Sequence, residues 1–103
     1  MAEFRKVAKT GDIPLNKMKV FEVGHDRVLI CNVDGTFHAV ADECTHDGAP
    51  ISTGRLFKGQ VVCPRHGARF NVNDGSVAAP PAIVPIDTFE VKVDGDDILV
   101  ALD

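Results

Sequence analysis

At 103 residues the chain has the length of one domain with a modest core, and its 45% apolar and 25% charged content is that of a soluble globular protein. A formal net charge of −4 disfavours nucleic acid and anionic lipid as partners. No segment approaches a membrane span of 18 apolar residues, the N-terminus carries no signal-like apolar run, and three cysteines do not make a disulfide framework, so a cytoplasmic protein is expected.

Residues 4–8 read as a short strand, ended by the turn-like Thr10-Gly11-Asp12-Ile13-Pro14. A second run, 17–23, carries apolar Met18, Val20 and Phe21, and Gly24-His25-Asp26 turns it into 27–33. That third run alternates, with Val28 and Ile30 on one face and Leu29 and Cys31 on the other. Asp34-Gly35 is a strong two-residue hairpin signal leading into 37–41, so the first four runs predict an antiparallel meander.

From 42 to about 81 the chain is rich in Gly, Pro, Asp and Asn and offers only short strand-like pieces, at Val61-Val62 and at 69–72 before the turn Asn73-Asp74-Gly75. So long an irregular stretch inside a small domain implies a functional reason. Regular alternation resumes at Phe89, Val91 and Val93; Asp94-Gly95 turns the chain and 98–102 returns. No helical periodicity persists for more than about a turn. The expectation is a single all-β domain, 1–103. In it, 1–41 and 82–103 form a basal antiparallel sandwich or barrel, and 42–81 is an inserted lobe.

Two short motifs stand in that lobe: Cys44-Thr45-His46 and, after sixteen intervening residues, Cys63-Pro64-Arg65-His66. Each offers one thiolate and one imidazole, with a glycine close behind (Gly48 and Gly67). Structural zinc sites usually pair like ligands on each arm. The mixed C-x-H and C-x-x-H pairing suits a two-iron, two-sulfur cluster with differentiated ends. Other readings of the same residues are a tetrahedral zinc site, a Cys44–Cys63 disulfide, or buried cysteines beside ordinary loop histidines. Cys44 and His46, at i and i+2 of an extended segment, would face one side. Pro64 would stiffen the second loop and Gly67 would allow close backbone approach.

This stretch closely resembles the Rieske motif, and the similarity spans nearly the whole chain. The resemblance implies one 2Fe-2S cluster, with Cys44 and Cys63 on the inner iron and His46 and His66 on the outer iron near the surface. It makes 78–82 (Ala-Ala-Pro-Pro-Ala) a proline loop covering the cluster, with a plain rigid linker between lobes as the lesser alternative. The high-potential branch of the family has an extra cysteine in each ligand loop and serine and tyrosine hydroxyls donating to cluster sulfurs. Here those positions are Ala49, Arg65, Ala68 and Phe70. The chain instead resembles soluble low-potential ferredoxins of bacterial ring-hydroxylating oxygenases, with an expected potential below 0 mV.

That resemblance implies a one-electron carrier, not an enzyme, acting as a monomer between a flavin-containing NAD(P)H reductase and a terminal oxygenase. The alternative is a small Rieske subunit of an assimilatory nitrite reductase-like enzyme. Self-contained oxygenase activity is disfavoured, because only His25 and His38 remain outside the motif for a second iron. Asp47, Arg65 and Pro81 are candidate rim residues at the partner interface. Cys31 is assigned to core packing, and the acidic pairs Asp42-Glu43 and Asp96-Asp97 to solvated surface.

Overall fold

The computed structural model describes residues 3–46 and 48–102. Among the described residues there are eleven strands: β1 (Glu3–Lys9), β2 (Met18–Val23), β3 (Asp26–Val33), β4 (Thr36–Ala41), β5 (Arg55–Phe57), β6 (Gln60–Val62), β7 (Arg69–Asn71), β8 (Val77–Ala79), β9 (Thr88–Phe89), β10 (Val91–Asp94) and β11 (Asp97–Leu102). The one helical piece among the described residues is a 3-10 turn, Thr10–Asp12. The fold is all-β.

The described strands form three antiparallel sheets, in the orders β1-β11-β10, β2-β3-β4-β9 and β5-β6-β7-β8. The second is the middle layer, and β3 shows why. Its residues Val28 to Asn32 are all buried, as a strand apolar on both faces must be. Val28 and Ile30 pack with Ile98, Val100 and Leu102 of β11, whereas Leu29 and Cys31 pack with Val61 and Phe70 of the third sheet. The turn between β3 and β4 has φ of +51° at Asp34 and +94° at Gly35, the left-handed pair that a two-residue hairpin requires.

The structure departs from the sequence expectation at three places. β1 leaves the meander and pairs with β11 from the other end of the chain, with Phe4 opposite Ala101. β5 and β8 are strands in a stretch expected to be irregular. Both are three residues long, too short to show an alternation of their own. They exist because β6 and β7 offer them edges to pair with.

Candidate metal centre

The third sheet is built around three turns of one design. The Cys44 N–H donates to the Ala49 carbonyl at 2.8 Å, and the Gly48 N–H donates back to the Cys44 carbonyl at 2.7 Å. The Cys63 N–H donates to the Ala68 carbonyl at 2.8 Å, and the Gly67 N–H to the Cys63 carbonyl at 3.1 Å. Asn71, Gly75 and Ser76 repeat the pattern at 2.9 and 2.7 Å. The glycine in each has φ between +76° and +78°, a conformation that favours the residue without a Cβ.

The first two turns carry the sequence motif. Cys44 and Cys63 are buried thiols at the end of the core that holds Cys31, Val40, Ile51 and Phe70. His46 and His66 are exposed, and their rings meet edge to face with centroids 5.1 Å apart. All four residues expected from the sequence are therefore on two adjoining turns, with sulfur inside and nitrogen outside. His46 arrives by a tight turn, not by alternation along an extended segment. Among the described residues no three His, Cys, Asp or Glu side chains converge as a single metal ion would demand. Two soft and two borderline donors spread over two loops suit a pair of bridged irons better than one zinc.

The segment after β8 covers the first turn. The Thr45 hydroxyl donates to the Val84 carbonyl at 2.6 Å, Ala82 is buried in the same core, and Ile86 donates to the Gly75 carbonyl at 2.9 Å. Pro81 is half-buried and Arg65 exposed, while Asp47 lies outside the described residues. His25 is an exposed turn residue and His38 lies on β4.

Asp42, expected from the sequence on the solvated surface, is instead buried. Its side chain is fully buried and accepts from the Ile51 N–H at 2.8 Å, the Ser52 N–H at 2.7 Å, the Ser52 hydroxyl at 2.8 Å and Arg27 at 2.9 Å. Burial works to raise its pKa, but the bonds from Ser52, Arg27 and Ile51 outweigh this and hold it below the usual carboxylate value. Two residues before Cys44, Asp42 thus ties the entry of the first turn to its exit. The one hint in the sequence is its place at the end of a strand.

The Rieske 2Fe-2S domain matches residues 3–90. The chain belongs to this family. It is 43% identical over 98 residues to the ferredoxin component of biphenyl 2,3-dioxygenase from Rhodococcus jostii (strain RHA1), covering 95% of this chain and 92% of that one. The ferredoxin in a solved complex of reduced oxygenase and oxidised ferredoxin of carbazole 1,9a-dioxygenase is 34% identical, with a TM-score of 0.89 over 95% of this chain and 92% of that one. The ferredoxin of carbazole 1,9a-dioxygenase from Nocardioides aromaticivorans IC177 has a TM-score of 0.92 at 28% identity, covering 97% and 98%. A nitrite reductase small subunit from Mycobacterium tuberculosis, at 20% identity, shares the fold alone.

This Rieske chain takes one 2Fe-2S cluster as cofactor, and the donor set fits it, since the family's cluster is held by two thiolates and two imidazoles. No helix among the described residues is long and apolar enough to cross a membrane.

Proposed function

We propose that this Rieske ferredoxin carries single electrons from a flavin-containing NAD(P)H reductase to a terminal oxygenase, with Cys44 and Cys63 binding one iron and His46 and His66 the other. The observation that carries the reading is the exposed His46–His66 pair set over two buried thiols. The bound cluster supplies one reversible electron. The buried cysteines keep water from the inner side, and the exposed imidazoles bring the outer side to the surface where a partner can approach. The named dioxygenase ferredoxins support an oxygenase as partner. Electron carriers of this kind use small, transient interfaces. The working form is a cytoplasmic monomer: a basal part, 1–41 and 82–103, and a cluster lobe, 42–81, within one domain.

The test is chemical analysis and EPR of the purified protein. Two irons and two acid-labile sulfides per chain are expected, with a reduced signal averaging below the free-electron g value. One zinc per chain without visible absorption would overturn the proposal, as would a native cluster spectrum in His66→Ala. The pure protein should reduce a dye or cytochrome when a reductase supplies electrons, and form no product from an aromatic substrate alone. Stable co-purification with a large sirohaem protein would point instead to the nitrite reductase subunit.

A further inference from the structure

Charge is divided unevenly along this acidic chain. Between Gly48 and Asn73 there are four cations, Arg55, Lys58, Arg65 and Arg69, and no Asp or Glu. The rest of the chain therefore carries a formal −8, from a total of −4 less this +4.

The strand register puts two of these cations, Arg55 and Arg69, on one face. Arg55 lies opposite Val62, and Val62 opposite Arg69, so the three side chains form a row across β5, β6 and β7. The alternate residues Leu56, Val61 and Phe70 point into the core, which sets the row on the solvent side. Phe57 shares that side and is 43% exposed, with the Arg55 guanidinium 5.5 Å and the Lys58 ammonium 5.3 Å from its ring centroid. At the other end the face runs through β6 into the second ligand turn, where Arg65 and His66 are exposed.

We propose that this cationic face, from Phe57 to Arg65, is a docking surface for a protein electron partner whose contact face is acidic. The proposal rests on the carrier reading above. Two features single out this kind of occupant. Carboxylates complement a row of guanidinium groups bidentately, and the row leads directly to the exposed histidine edge. The overall charge of −4 predicts the opposite, attraction of a basic partner. The local field decides, because within about a Debye length the nearest charges outweigh the distant ones. Reduction adds one negative charge beside the 48–73 segment, which lessens its +4 without cancelling it.

The experiment is stopped-flow oxidation of the reduced holo-protein by ferricyanide and by hexaammineruthenium(III), from about 10 to 300 mM salt. The expected result is a ferricyanide rate that falls several-fold with salt and a ruthenium rate that does not. In Arg55→Gln/Arg69→Gln, with its cluster spectrum intact, the ferricyanide dependence should flatten or reverse. A ferricyanide rate that rises with salt in the wild type, or a double variant that matches it, overturns the proposal. Failure of both dyes to oxidise a protein with an intact cluster condemns the carrier reading instead. In a second arm, polyglutamate should slow the ferricyanide reaction of the wild type and not of the double variant. Slowing by duplex DNA or phosphatidylserine vesicles, without slowing by polyglutamate, would reject a protein occupant.

Discussion

Gly67 occupies in the second ligand turn the place that Gly48 holds in the first: four residues after a cysteine, φ near +77°, its N–H returned to that cysteine's carbonyl. The two turns place the histidine differently, at the third position in one and the fourth in the other. One backbone frame thus presents two thiols inward and two imidazoles outward.

The frame separates two kinds of glycine. A Cβ at Gly67 would meet nothing within 4 Å, so Gly67→Ala should cost only left-handed strain, about 1–2 kcal/mol. Gly54 has an ordinary φ, but a Cβ there would collide with the Val62 carbonyl just ahead of Cys63, and backbone cannot yield. Gly54→Ala should therefore cost about 3 kcal/mol or more. Thermal melts of the holo-proteins decide; equal losses for the two variants would refute the distinction.

Asp42→Ala should destabilise by about 2–4 kcal/mol, because the Ile51 and Ser52 donors lose their buried acceptor. Arg27→Ala should do less, since its guanidinium is partly in water and Ser52 and Ile51 still hold the carboxylate. In a denaturant titration, a smaller loss for Asp42→Ala than for Arg27→Ala would contradict this order.

Burial pushes the Cys31 thiol from an ordinary 9.0 up to about 12. A folded-state pKa raised in this way contributes stability that is full below pH 9 and is lost as pH rises toward 12. The melting temperature of the wild type should therefore fall more steeply over that range than that of Cys31→Ala, whatever their difference at pH 7. Parallel curves would show that Cys31 is not responsible. At pH 8 iodoacetamide should leave Cys31 unmodified until the protein is unfolded, as read by mass spectrometry.

Ala68 and Phe70 are fully buried beside the second turn and carry no hydroxyl. A donor to a cluster sulfur stabilises the more negative reduced state and so raises the potential. Each charge-assisted hydrogen bond is worth about 1.5–3 kcal/mol, and about 1.4 kcal/mol corresponds to 59 mV for one electron. Lack of both donors lowers the potential by roughly 100–250 mV, and the wild-type midpoint is expected below 0 mV on the Rieske scale of about −150 to +300 mV. Redox titration of the wild type, Ala68→Ser and Phe70→Tyr checks this. A midpoint well above zero, or no rise in either variant with an intact cluster, would overturn it.

Most of the chemistry was legible in the sequence because it is local. The cysteine and histidine spacing, the glycines behind them and the two-sided alternation of β3 each depend on residues a few positions apart. The hairpins at Asp34-Gly35 and Asp94-Gly95 were legible for the same reason. Tertiary structure decided what depends on distant partners. β1 joins β11 across most of the chain, β5 and β8 form only against β6 and β7, and Asp42 becomes a buried hub only when Arg27 and Ser52 are brought to it. The cationic face was likewise invisible as composition, since a net charge has no direction. It took the register of three short strands to set Arg55 and Arg69 on one face, with Lys58 and Arg65 in the turns at its ends.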